Sequence, residues 1–126
     1  MHKASKKIVA VLEDLFFTVK IADAAKRLGL EVVFVKTEKD ALEQAKTLPM
    51  VMIVDLNSNG VEGIKLIQKI KSGADTKGVN LLAFVSHVQG ELKQKAHDAG
   101  CNMVLARSAF STNLPQILKR HAGVVA

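Results

Sequence analysis

Met50-Val51-Met52-Ile53-Val54-Asp55-Leu56-Asn57-Ser58-Asn59-Gly60 joins five apolar residues to an acid and then to a turn-forming cluster, with Pro49 in front. An unbroken apolar run this short is expected of a strand covered on both faces, as in a parallel sheet. Asp55 closes it, and open α/β sheets build their ligand sites at the carboxyl ends of such strands. Asp55 is therefore the first candidate for chemistry. The plainer alternative is a strand-end acid that accepts hydrogen bonds from the loop amides after it.

Working outward, similar runs recur at Ile8–Leu12, Val32–Val35, Leu81–Val85 and Met103–Ala106. Amphipathic segments separate them. Phe17, Ile21, Ala24 and Leu28 share one helical stripe, with Leu15, Val19 and Ala22 beside it, and Gly29 ends that helix. Thr37 is placed to cap a second helix that turns Ala41, Leu42 and Ala45 inward. Ile64, Leu66, Ile67 and Ile70 mark a third helix, ending near Ser72-Gly73. Val88, Leu92, Ala96 and Ala99 mark a charged fourth, and Pro115 suits the first turn of a fifth, whose inner face is Leu114, Ile117, Leu118 and His121. Strict β-α alternation repeated five times predicts an α/β fold, a single doubly wound five-stranded parallel sheet with five helices. The flavodoxin-like strand order 2-1-3-4-5 puts strands 1 and 3 at the switch point.

The 126 residues fit one domain spanning 1–126, with no linker or repeat and no separate output domain. Apolar residues make up 48% and charged residues 24%, the balance of an ordinary globular protein. No apolar run reaches membrane-span length, and the amino end lacks a signal-peptide core. Cys101 is the single cysteine, which fits a reducing cytoplasm. The net charge of +6 is spread along the chain, and there is no Trp or Tyr to stack bases, so solvated helix faces explain it better than a nucleic-acid site.

In the 2-1-3-4-5 order the carboxyl ends of strands 1, 3, 4 and 5 converge. They deliver Glu13 and Asp14, then Asp55, then Ser86 and His87, then Arg107 and Ser108. Carboxylates gathered this closely repel one another unless a cation lies among them, and hard oxygen donors suit Mg²⁺. A hydroxyl and a cation opposite could hold a phosphoryl group carried by Asp55.

At these residues the chain resembles the receiver (CheY-like) domains of two-component response regulators, over nearly its whole length. The resemblance puts Asp55 on the phosphoacceptor, Gly63 on a glycine eight residues later, Ser86 on the hydroxyl position and Ala99-Gly100-Cys101 on the small-residue segment before strand 5. It implies Mg²⁺ as cofactor, held by Glu13, Asp14, Asp55 and Asn57, and Asp55, Ser86 and Arg107 as the groups that act on phosphate. It also implies a sensor histidine kinase or other signalling protein as partner. The output, or a homodimer, would form through the face of helix 4, strand 5 and helix 5.

Several positions depart from the pattern. The acidic pair reads as Leu12-Glu13 in one alignment and Glu13-Asp14 in another, and either way the metal site is altered. Arg107 replaces a lysine, so a planar fork stands where a compact ammonium is usual. Ser108 replaces a proline, His87 a small residue, Val104 an aromatic residue, and Ser58-Asn59 a common Met-Pro. Two readings follow: a working receiver, or a pseudo-receiver that binds partners without phosphotransfer.

An enzyme or nucleotide binder on a similar sheet is a third class. Glu13-Asp14-Leu15-Phe16-Phe17 has no Gly-x-Gly-x-x-Gly, no P-loop is present, and no second Asp follows Asp55-Leu56-Asn57 as in aspartate-nucleophile phosphatases. The expectation is a non-enzyme.

Overall fold

The structure is a computed structural model that describes residues 6–86 and 90–122. The readings for His87 and Val88 lie outside those residues. The chain runs β1 (Lys7–Val11), α1 (Leu15–Arg27), β2 (Glu31–Val35), α2 (Glu38–Ala45), β3 (Val51–Asp55), α3 (Gly63–Ser72), β4 (Leu81–Val85), α4 (Gly90–Asp98), β5 (Met103–Ala106) and α5 (Arg107–His121). All strand pairings are parallel and the order is β2-β1-β3-β4-β5. The expected architecture is the observed one.

The two-residue period of the strands divides the core into two layers. Val9, Val11, Met52, Val54, Leu81, Ala83 and Val85 pack with α2, α3 and α4 residues such as Ala41, Ile67, Ile70 and Ala96. Ile8, Ala10, Val51, Ile53, Leu82 and Phe84 pack with Phe17 and Ile21 of α1 and with Phe110, Leu114 and Leu118 of α5. Burying each such aliphatic or aromatic side chain contributes about 1.5–3 kcal/mol. By the same period Asp55 follows Val51 and Ile53, so it belongs to the α1/α5 side. Its register partner is Phe84.

Helix ends follow from local chemistry. Asp14 caps α1, its side chain accepting from the Phe16 and Phe17 amides. At the other end Leu30 N–H donates to Ala25 O and Gly29 N–H to Lys26 O, with Gly29 at φ +70°. This double closure needs the left-handed region that glycine occupies without strain. Thr37 caps α2 by accepting from Asp40 N–H, as expected.

Two expectations change. Leu15 and Val19 do not flank the buried stripe of α1: they are 77% and 68% exposed, with Phe16 beside them at 62%. Helical spacing alone cannot say which side of an apolar arc meets the sheet. Pro115 does not open α5. It lies inside a helix that begins at Arg107, eight residues earlier. Its ring removes one N–H and is itself exposed, while Phe110, Leu114 and Leu118 are fully buried at four-residue spacing. Tertiary burial of that stripe outweighs the local cost of an interior proline.

Candidate functional site

Asp55 is the final residue of the central strand β3 and is only 6% exposed. The backbone fixes it tightly. Leu56 N–H donates to Phe84 O at 3.0 Å, which prolongs the β3–β4 pairing past the strand end. Asn57 N–H donates to Asp55 Oδ1 at 2.9 Å and Ser58 N–H to Asp55 O at 3.2 Å, so the loop turns sharply around the carboxylate. Next comes Gly63, at the first turn of α3. A Cβ there would lie 2.8 Å from Leu56 Cδ2, so the helix approaches the strand end as closely as it can.

Burial raises the Asp55 carboxyl above the ordinary range. The Asn57 amide and the Arg107 charge pull it down by less, and Asp14 adds to the rise. A carboxyl whose folded value is raised carries a penalty that is complete above that value and absent below its unfolded value. Asp55→Asn is therefore expected to raise the melting temperature at neutral pH. The gain should shrink as pH falls through the carboxylate range. Melts of both proteins across that range check this, and a gain that grows on acidification would contradict it.

Glu13, Asp14, Asp55 and Asn57 do come together, lining a cleft of about 260 Å³ with Ser58 and Asn59. Some of their oxygens are already engaged there. Asp14 Oδ1 accepts from Phe16 N–H at 2.8 Å and Phe17 N–H at 3.3 Å, and Oδ2 accepts from Arg107 Nη2 in an ion pair. Glu13 is exposed and reaches across Gly60, where its Oε1 occupies the space a Cβ would need. Asn57 Oδ1 accepts from Ser86 N–H at 2.6 Å, tying the loop after β3 to the end of β4. Among the described residues no group of three or more His, Cys, Asp or Glu is gathered so as to hold a metal ion. The four expected ligands share a cleft, but Asp14 and Asn57 already direct their oxygens to protein partners, which leaves Glu13 and one Asp55 oxygen to a hard divalent cation.

Arg107 and Ser86 border a neighbouring groove. Arg107 is the first residue of α5, and its guanidinium carbon stands 4.8 Å from the centre of the Phe17 ring. Phe17, Phe84 and Phe110 cluster beneath it, with Phe84 and Phe110 stacked nearly parallel at 4.6 Å and Phe17 tilted against both. Together with Phe16, Ala106, Ser108 and Ser111, Arg107 and Ser86 line a groove of about 530 Å³. Arg107 pairs with Asp14 and acts on Asp55 through its field. Two features escaped the sequence entirely: the Asn57 link to Ser86, and the aromatic floor under Arg107. Neither leaves a signal in spacing, because both join residues about 29 and 90 positions apart.

No family model and no curated protein sequence matches the chain. Solved structures do. The phosphorylated cyanobacterial phytochrome response regulator RcpA is similar at 23% identity and TM-score 0.78, over 93% of this chain and 91% of the other. A receiver domain of a Pseudomonas aeruginosa sensor histidine kinase, with magnesium coordinated in its active-site cleft, is similar at 22% identity and TM-score 0.79, over 95% and 99%. A response regulator from Hahella chejuensis reaches TM-score 0.84 at 16% identity, over 95% and 97%. The chain has the CheY-like receiver fold. Among the described residues no helix is long and apolar enough to cross a membrane.

Proposed function

We propose that this chain is a receiver-type signalling module that accepts a phosphoryl group on Asp55 and passes on its state through protein contact. The observation that carries the reading is Asp55 itself, a desolvated carboxylate at the end of the central strand that opens on an acidic cleft within the field of Arg107. The donor would be a phosphohistidine of a sensor kinase. An Asp55 oxygen attacks phosphorus, the P–N bond breaks, and the electron pair leaves with the histidine nitrogen. The product is an aspartyl phosphate. Loss of solvation makes the attacking oxygen more reactive, and the nearby guanidinium offsets charge gathering on the phosphoryl oxygens. The Ser86 hydroxyl is a further donor to those oxygens.

Contact with a protein partner is supported by the exposed Leu15, Phe16 and Val19 of α1, which form one apolar patch beside the rim. The α4 side of the alternative output face exposes mainly Glu91, Lys93, Gln94 and Lys95. A cytoplasmic setting follows from the kinase partner.

The second reading is a pseudo-receiver, which binds a partner with no phosphotransfer. The Arg107–Asp14 pair favours it, because an acid that would help assemble a phosphoryl site is already engaged. Acetyl phosphate with the intact mass as readout separates the two. The working receiver gains one phosphoryl group, and Asp55→Asn abolishes the gain. A wild-type mass that never changes, with or without Mg²⁺, removes phosphotransfer and leaves the pseudo-receiver.

A further inference from the structure

Asp14 belongs at once to the acidic cleft and, through Arg107, to the neighbouring apolar groove. Its two oxygens have separate duties. Oδ1 is committed to the first turn of α1 by two backbone N–H groups, and Oδ2 faces the Arg107 guanidinium. Only Oδ2 could serve a metal without unwinding the helix start, and it is the oxygen that Arg107 holds. From this one-for-one competition we infer that Arg107 is the resident cation of the rim and withholds Asp14 from divalent ions.

The physical reasons reinforce one another. A guanidinium stays charged at every relevant pH, and here one of its arms, Nη2, meets Asp14 Oδ2. Arg107 is also anchored: its backbone begins α5 immediately after β5, and its head rests on the Phe17 ring. The pair is half-buried, with 35% and 29% of the two side chains exposed, so water screens it only in part. Mg²⁺ sheds water reluctantly and needs near-octahedral oxygen donors, while Glu13 is turned toward Gly60. A divalent ion would have to displace a seated guanidinium or sit against its charge. Phosphotransfer plays no part in this inference, which concerns only what occupies Asp14.

The chain has no Trp or Tyr, so metal binding cannot be followed by their fluorescence. Free Mn²⁺ measured by electron paramagnetic resonance, with Mg²⁺ as competitor, reads affinity directly. Arg107→Met keeps an unbranched side chain at this position and removes the charge. It is expected to bind Mn²⁺ about tenfold more tightly than the wild type, or better. Adding Asp14→Asn to Arg107→Met should return the affinity to the wild-type level. Equal affinities in wild type and Arg107→Met overturn the inference, and so does the absence of binding in both. A gain that survives Asp14→Asn overturns it as well, because the ion would then be bound elsewhere.

A second measurement needs no variant. The Arg107 Nε–H resonance of the wild-type protein should stay in place as Mg²⁺ is raised through the millimolar range. Its displacement by low Mg²⁺ would also overturn the inference. Because neither readout involves acetyl phosphate, failure here and failure of phosphorylation at Asp55 are told apart.

Discussion

Phe84→Ala is expected to cost about 3–5 kcal/mol of stability. Phe84 is fully buried in β4, stacked nearly parallel on Phe110 of α5 and 4.8 Å from the Phe17 ring of α1. One side chain therefore joins the sheet to both helices of that face. Removing it leaves a cavity that the flanking strands β3 and β5 cannot collapse to fill, since each is held by parallel pairing. Thermal or urea unfolding should show the melting point fall by roughly 10–20 °C.

The consequence reaches the rim. Phe84 is paired in register with Asp55, and its carbonyl accepts the Leu56 amide. Phe17, the floor beneath Arg107, leans on the same ring. Phe16→Ala is the matched control, because that ring is mostly in water; its effect should stay within about 0.5 kcal/mol. Losses of similar size at the two positions would mean that the aromatic trio does not anchor this face.

Asp14 provides the second large effect, and two substitutions separate its roles. Asp14→Ala removes the α1 cap and should cost about 1–2 kcal/mol. Asp14→Asn keeps an oxygen able to accept from the Phe16 and Phe17 amides and loses only the charge that Arg107 faces. A partly exposed ion pair contributes about 0–1 kcal/mol, so asparagine should lose clearly less than alanine. Denaturant midpoints compare them. Equal losses would assign the stability to the Arg107 pair rather than to the helix cap.

The contrast between Asp55 and Asp14 shows where sequence reading succeeds and where it stops. Asp55 was legible because its position depends on local facts: a five-residue apolar run, a turn cluster after it, and a fold in which such strand ends meet. The fate of Asp14 was only partly legible. An acid before Leu15-Phe16-Phe17 is a plausible helix cap, and that much is local chemistry. Its capture by Arg107 is not, because 93 residues separate the two and several cations could have reached the rim. The outward turn of Leu15 and Val19 and the interior place of Pro115 were hidden for the same reason. Each depends on which face of a helix the sheet covers.

By itself, then, the sequence determined the alternation of strands and helices, their parallel order, the candidate rim and the central place of Asp55. Hydrophobic periodicity and turn chemistry act over a few residues and survive in any one-dimensional reading. The tertiary structure alone decided how the rim charges are paired: Arg107 on Asp14, Asn57 on Ser86, Glu13 over Gly60, and an aromatic floor below. Such pairings are choices among competing partners at similar distances, and only the packed positions of α1 and α5 select between them.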